Sequence, residues 1–102
     1  MLCKEVYVLV KKLPKEELYA LSDQLRRASI SIPSNIAEGY SRNSKKEYIH
    51  FLSIARGSKA EIETQLLICV RLKFLPAEQI VIALSLCEEI GKMLYTIVSK
   101  LT

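Results

Sequence analysis

Apolar residues recur at steps of three and four along most of the chain, which is the period of one face of an α-helix. Strict alternation of polar and apolar residues never persists, and only three glycines and three prolines interrupt the pattern. The pattern therefore predicts an all-α protein with four helices and few turns.

The first two predicted helices are separated by Pro14. The first covers residues 2–13, because a proline cannot continue the backbone ladder of a helix. The second has Ser22 as its predicted N-cap and Gly39 as its stop. Pro33 lies inside this second helix and predicts a bend there. The apolar faces of the two helices are Leu2, Val6, Leu9, Val10 and Leu13, and Leu18, Leu21, Leu25, Ala28, Ile32 and Ile36.

The last two predicted helices each begin at a recognisable signal. Ser44 and Glu47 have the spacing of a capping box, so a third helix starts there and runs to about Phe74. Pro76 suits the first position of a fourth helix. Their apolar faces are Leu52, Ala55, Ile62, Leu66 and Cys69, and Ile80, Leu84, Cys87, Leu94, Val98 and Leu101. Three short connections between four helices predict an up-down-up-down antiparallel four-helix bundle with a proline-bent second helix, as one domain over residues 1–102.

Polar residues form a row on each of the two central helices. The first row is Arg27, Ser31, Asn35, Glu38 and Arg42, and the second is Ser58, Glu61 and Gln65. If the rows face each other, Arg27 and Arg42 meet Glu61 and Glu47, while Asn35 and Glu38 use the carbonyl freed by Pro33 and nearby hydroxyls. Gly57 would let the two helices approach closely. This interpretation makes the rows a structural polar network, with a ligand site as the alternative.

Charge and cysteine content narrow the class of protein. The net charge is +4, and residues 1–59 hold eleven Lys/Arg against six Asp/Glu, so the basic surface belongs to the first half. Half of the residues are apolar, yet the longest apolar runs are five residues, which predicts a cytoplasmic protein without a membrane span. Three widely spaced cysteines favour reduced core thiols over disulfides or a metal site.

An enzyme is the least favoured class. His50 is the only histidine, and no partner stands at a convincing triad spacing. Glu61 and Glu63 point to different faces of one helix, and no glycine-rich phosphate loop is present. We therefore expect no catalytic residue and no cofactor.

The segment from Gln24 to Leu72 resembles the four helix bundle protein family, also called 23S rRNA-intervening sequence proteins. The matching motif is S-I-P-x-N-I-A-E-G, then an arginine, F-L-x-x-A and G-S-x-x-E. It falls on Ser31, Ile32, Pro33, Asn35, Ile36, Ala37, Glu38, Gly39, Arg42, Phe51, Leu52, Ala55, Gly57, Ser58 and Glu61. The first helix looks short for the family, as if a turn or two were lost at the amino-terminal end.

The resemblance implies a bacterial four-helix bundle that assembles into a ring, commonly a pentamer. Some relatives are encoded within inserts of ribosomal RNA genes. A more distant relative is the accessory protein of diversity-generating retroelements, which presents a basic surface and assists a reverse transcriptase on nucleic acid.

Two functions follow as hypotheses. The first is a homo-oligomer that binds RNA or DNA through Lys11, Lys12, Lys15, Arg26, Lys45, Lys46, Arg56 and Lys59. The second is a scaffolding oligomer that binds a protein partner, such as a reverse transcriptase. In both, subunits are expected to meet at a second apolar stripe of the fourth helix, formed by Ile82, Leu86, Ile90, Met93 and Ile97.

Overall fold

The computed structural model describes the backbone of residues 1–102 and every side chain except that of Leu18. Leu18 was predicted to belong to the apolar face of the second helix, and this prediction lies outside the described side chains. Four helices dominate the fold and confirm the all-α prediction. They are α1 (Leu2–Val10), α2 (Asp23–Tyr40), α3 (Lys45–Arg71) and α4 (Val81–Leu101). Shorter turns lead into two of them: a 3₁₀ turn (Lys15–Glu17) and a π turn (Leu18–Ser22) before α2, and a 3₁₀ turn (Ala77–Ile80) before α4.

The core is built from the apolar faces predicted for the four helices. Each helix contributes one face, and the residues nearest the centre have almost no exposed surface. Among the most deeply buried are Val6, Leu25, Leu52, Ala55, Ile62, Leu66, Cys69, Ala83 and Cys87. The connections add Leu13, Leu75 and Ile80, so the core extends into both ends of the helices.

The start and end of α2 differ from the prediction. Ser22 is buried and has helical backbone angles, so it does not cap the helix; the chain already winds through the π turn before it. Gly39 lies within α2, which ends one residue later at Tyr40. A residue added at Gly39 would place its Cβ 2.8 Å from the Cβ of Phe51. Gly39 therefore permits close packing of α2 on α3 rather than ending the helix.

The ends of α3 are fixed by backbone hydrogen bonds and one side chain. The Ser44 hydroxyl accepts from the Glu47 amide (3.1 Å), which is the first half of the predicted capping box, while the Glu47 carboxylate turns toward Arg42. At the other end Lys73 adopts a left-handed conformation (φ 64°). The amides of Phe74 and Lys73 donate to the carbonyls of Cys69 (2.9 Å) and Val70 (3.0 Å), the two bonds of a Schellman motif.

The entry to α4 lies later in the chain than predicted. Pro76 has extended backbone angles and precedes the 3₁₀ turn as its cap, so it is not the first helical residue. Its carbonyl accepts from the Gln79 amide (3.0 Å). The helix proper begins only at Val81.

The helices pack in a closed order of neighbours. α2 packs most extensively on α3, α3 on α4, and α1 on both α2 and α4, as is typical of a four-helix bundle. The molecule measures 43 × 24 × 19 Å, and its long dimension matches α3, which at 27 residues is about 40 Å long. The up-down direction of successive helices and the bend at Pro33 stay predictions.

Within the described part of the chain, none of the helices has the combination of length and hydropathy needed to cross a lipid bilayer.

Candidate functional site

The two polar rows of α2 and α3 meet at a pair of serines. The Ser58 hydroxyl donates to the Ser31 hydroxyl across the helix contact (2.8 Å). The side-chain amide of Asn35 donates to the Ser31 carbonyl (2.8 Å) and to its hydroxyl (2.9 Å). The central part of the predicted network is thus a hydrogen-bonded cluster that ties α2 to α3.

The charged members of the rows lie outside this cluster. Arg27 pairs with Asp23 one turn earlier on its own helix (3.3 Å), so the expected pair with Glu61 was wrong. An i,i+4 partner on the same helix lies one turn away, and both side chains stay in solvent when they pair. Glu61 itself is exposed, whereas the other two residues of its row, Ser58 and Gln65, are buried.

Arg42 contacts its predicted partner, Glu47, and lies closer to a second acidic residue, Glu38. Its guanidinium pairs with Glu38 (2.6 Å), and its Nε lies 3.8 Å from the Glu47 carboxylate. The same guanidinium lies 5.1 Å from the centre of the Phe51 ring, as in a cation–π contact. Arg42 thus joins the end of α2 to the first turns of α3.

The carbonyl freed by Pro33 is satisfied by α1, not by the polar row. Proline lacks an amide hydrogen, so the carbonyl four residues earlier, at Ser29, has no helical donor. The Cys3 thiol donates to this carbonyl (3.0 Å). The prediction that Asn35 and Glu38 would use this carbonyl was wrong, whereas the predicted use of nearby hydroxyls holds for Asn35, which donates to the Ser31 hydroxyl.

Two glutamines extend the polar contact. The side-chain amide of Gln65 donates to the side-chain oxygen Oε1 of Gln24 (3.0 Å), and Gln65 is buried. Among the described side chains, its own Oε1 has no hydrogen-bond partner. A small polar cavity of about 340 Å³ lies alongside, lined by Gln24, Arg27, Ala28, Ser31, Ser58 and Glu61.

Gly57 does not have the role that the sequence suggested. A Cβ added there would meet no atom within 4 Å, so no neighbouring helix of the same chain approaches it. The glycine is exposed in the middle of α3.

A groove lies between α3 and α4, with a volume of about 880 Å³. Leu52 and Leu94 lie at its buried base. Its polar lining is Ser53, Arg56, Lys59, Glu63, Glu88, Lys92, Tyr95 and Thr96. The groove therefore contains two of the predicted nucleic-acid-binding residues, Arg56 and Lys59.

The three cations of the groove differ in whether an acidic side chain pairs with them. Lys59 pairs with Glu63 (3.1 Å) and crosses toward α4, where its Nζ would lie 3.2 Å from a Cβ at Gly91. Lys92 pairs loosely with Glu88 (3.7 Å). Arg56 is exposed and makes no ion pair with any side chain that the structure describes.

An exposed aromatic ring completes the groove. Tyr95 is 76% exposed and lines the same surface as Arg56 and Lys92. Tyr95 and Arg56 are far apart in the chain, and only the packing of α4 on α3 joins them, so the sequence alone does not indicate this pairing. A ring beside cations suits contact with nucleotide bases and phosphates.

The remaining predicted cations are spread along the molecule. Lys11, Lys12 and Lys15 lie at the end where α4 starts, since the Lys12 ammonium donates to the Gln79 side chain (3.0 Å). Lys45 and Lys46 lie at the start of α3, about 40 Å from its other end, and Arg26 is half-buried on α2. All eight predicted residues are among those the structure describes, and together they do not form one continuous patch on a single chain.

Two thiols lie in the core beneath these surfaces. Burial raises the pKa of the Cys87 thiol from 9.0 to about 11, with the Glu63 carboxylate adding to the rise and Lys59 opposing it. Burial, with a smaller effect of Glu17, also raises the pKa of Cys69. Both thiols are therefore neutral at physiological pH. Their burial agrees with the prediction of core thiols, whereas Cys3 is only half-buried.

His50 lies on the exposed surface of α3. Its ring contacts that of Phe51 edge-on, with 5.7 Å between the ring centres. This arrangement gives the histidine a packing partner on the surface of α3.

The fold and its contacts define the class: an all-α protein of four helices, in which a small polar cluster joins the central pair. The family model for the 23S rRNA-intervening sequence protein matches residues 1–96, and the chain belongs to this family. The resemblance seen in the motif of residues 31–61 is thereby confirmed, while the link to the retroelement accessory protein stays a prediction. The family description names no reaction. Comparison with curated proteins finds no match.

Proposed function

We propose that this protein is a non-enzymatic homo-oligomer that binds RNA or DNA with little sequence preference through the α3–α4 groove. The observation that carries the proposal is the convergence of Arg56, Lys59 and Lys92 around one groove that also exposes Tyr95. The family description, which refers to a sequence within 23S rRNA, supports nucleic acid as the ligand class.

The charge of the groove explains why assembly matters. Lys59 and Lys92 each have an acidic neighbour, so a single groove offers Arg56 and little surplus charge. Each phosphate contact is weak alone, but contacts on several copies add when one polyanion spans them. Five copies are the favoured number, on the family resemblance alone.

The test is a titration of labelled oligonucleotides, single-stranded and duplex, at two salt concentrations. The intact protein should bind both with similar affinity for different sequences, and the logarithm of the binding constant should fall linearly with the logarithm of salt concentration. Arg56→Glu should weaken binding to all sequences and reduce the salt slope by about 1 for each phosphate that is no longer neutralised.

Arg71→Glu is the matched control for this titration. Arg71 is also exposed on α3 and the exchange changes the charge equally, but the residue does not line the groove. Equal weakening by both variants would show that net charge alone attracts nucleic acid. No binding by the intact oligomer at low salt would remove the proposal.

A scaffold that binds a protein partner, such as a reverse transcriptase, is the second candidate. It is favoured by the apolar side chains that remain exposed on α3 and α4, among them Leu67 and Val81. Failure of nucleic-acid binding, with the oligomer intact, would make this candidate the better one.

A further inference from the structure

The bottom of the α3–α4 groove is apolar. Leu52 and Leu94 are buried there, and Ile49 and Val98 are half-buried beside them. Phosphate groups are bound by cations and hydrogen-bond donors, so they gain nothing from apolar side chains. The groove therefore suits a ligand that joins negative charge to a flat, weakly polar ring.

Tyr95 supplies the aromatic ring that lines this groove, and the residue is 76% exposed. Among the described side chains no other ring contacts it, since the aromatic pairs there are Tyr40 with Tyr48 and His50 with Phe51. An exposed ring without a neighbouring ring keeps a free face. Nucleobases stack on such faces in proteins that bind single strands.

Gly91 admits a cation of α3 to the helical turn that precedes Tyr95. Side chains on a helix lean toward its amino-terminal end, over the turn three and four residues earlier. For Tyr95 this turn contains Lys92 and Gly91, and all three residues line the groove. The Lys59 ammonium lies 3.2 Å from the position that a Cβ would occupy at Gly91. A side chain at Gly91 would therefore displace Lys59 from this turn.

The charge and size of the groove suit one strand of nucleic acid. Each of its two acids, Glu63 and Glu88, pairs with a lysine, whereas Arg56 makes no ion pair with any described side chain. Arg56 stands on α3 and Tyr95 on α4, so the two line the groove from different helices. The volume of about 880 Å³ lies within the range of about 300–1,000 Å³ that is typical of pockets for small organic ligands. A nucleotide fits this space, whereas a duplex does not.

From these features we infer that the groove binds single-stranded nucleic acid, with an unpaired nucleobase stacked on Tyr95 and a neighbouring phosphate paired with Arg56. The inference rests on the proposed nucleic-acid binding and specifies which form of nucleic acid the groove recognises. In a duplex the next base pairs cover the faces of each nucleobase, so a duplex offers only its phosphates. Every nucleobase has a face that can stack, so this contact agrees with binding that has little sequence preference.

Fluorescence anisotropy of the intact protein with three labelled ligands tests this inference: oligothymidine, an abasic strand of the same length, and a duplex. Oligothymidine and the abasic strand carry the same phosphates, so the difference in their affinities measures the contribution of the nucleobases. The unaltered protein should bind oligothymidine at least about fivefold more tightly than the abasic strand. Tyr95→Leu should remove this difference and leave the affinities for the abasic strand and the duplex unchanged. Tyr95→Phe keeps the ring and should retain the difference.

Tyr40→Leu is the matched control. Tyr40 has the same exposed fraction as Tyr95, 76%, but does not line the groove, so this variant should bind all three ligands like the unaltered protein. Tyr95→Leu should also keep the salt slope of the unaltered protein, because it removes no phosphate contact, whereas Arg56→Glu should reduce that slope. Circular dichroism should show the same helix content in every variant.

Three results would overturn the stacking contact and leave the proposed function standing. The first is equal affinity of the unaltered protein for oligothymidine and the abasic strand, a comparison that does not depend on any variant. The second is a Tyr95→Leu protein that loses affinity for the abasic strand as much as for oligothymidine. The third is equal weakening of oligothymidine binding by Tyr40→Leu and Tyr95→Leu. Failure to bind any of the three ligands at low salt would instead remove the proposed function itself.

Discussion

At the scale of single residues, the bond between Cys3 and Ser29 shows how a local defect is compensated from a distance. Pro33 leaves the Ser29 carbonyl without a donor inside α2, and the Cys3 thiol of α1 supplies one. A thiol is a weak donor, but an unsatisfied buried carbonyl costs about 1–3 kcal/mol. The shortest helix is thereby tied to the point where α2 lacks a backbone bond.

Cys87 gives a residue-level prediction about alkaline pH. Its thiol has a pKa of about 11 in the folded protein against 9.0 as the ordinary value, because burial disfavours the thiolate. Below pH 9 both states keep the proton, so stability does not depend on this group. Between about pH 9 and 11 the unfolded chain loses the proton first, and the free energy of unfolding should fall by up to about 3 kcal/mol.

Urea unfolding followed by circular dichroism under reducing conditions, at pH 8 and pH 10.5, measures this loss. Cys87→Ala removes the titrating group, so the difference between the two pH values should shrink in that variant even though its absolute stability is lower. An identical pH dependence in both proteins would show that other groups cause the loss.

At the scale of elements, the end of α3 contains a residue that does not suit its conformation. Lys73 occupies the left-handed position of the Schellman motif, which glycine adopts without steric cost. Lys73→Gly should therefore raise the free energy of unfolding by about 0.5–1 kcal/mol. Lys92→Gly, the same exchange inside α4, should lower it by about 1 kcal/mol. Thermal melts of the two variants should move in opposite directions, and a shared decrease would contradict this account of the helix end.

The same scale shows what the sequence could predict. The apolar faces of the four helices were predictable because each one depends only on the helical period. Leu52, Ile62 and Leu66, for example, are buried as expected. The start of α2 was not, because a serine before an apolar run signals a cap only if the chain enters from outside the helix. At Ser22 the chain arrives already wound through the π turn.

The candidate site was predictable only in part, for a related physical reason. The row positions of Ser31 and Ser58 follow from helix geometry, and they do meet. Which partner a charged side chain chooses depends on small differences between exposed alternatives, so Arg27 binding Asp23 could not be separated from Arg27 binding Glu61. The groove that joins Arg56 to Tyr95 requires knowing how α4 rests on α3, which no single helix encodes.

At the scale of the whole molecule, surfaces of different chemistry are distributed around four helices. The α3–α4 groove carries cations and a tyrosine, whereas Ile54 and Ile68 on α3 and Ile82 and Met93 on α4 are exposed apolar side chains outside it. If the proposed oligomer buries these apolar side chains between copies, the groove stays accessible on every subunit. Assembly and ligand binding would then use separate parts of the chain, so variants can be designed to remove one and keep the other.

The short connection between α2 and α3 has a consequence for how the chain folds. Only residues 41–44 separate these two helices, which also share the most extensive packing in the molecule. Closing a short loop has a small entropic cost, whereas joining α1 to α4 must close most of the chain. The α2–α3 hairpin should therefore form in the folding transition state and α1 should dock afterwards. In stopped-flow measurements Ile32→Val should slow refolding, whereas Val6→Ala should chiefly accelerate unfolding, and the reverse assignment would place the nucleus elsewhere.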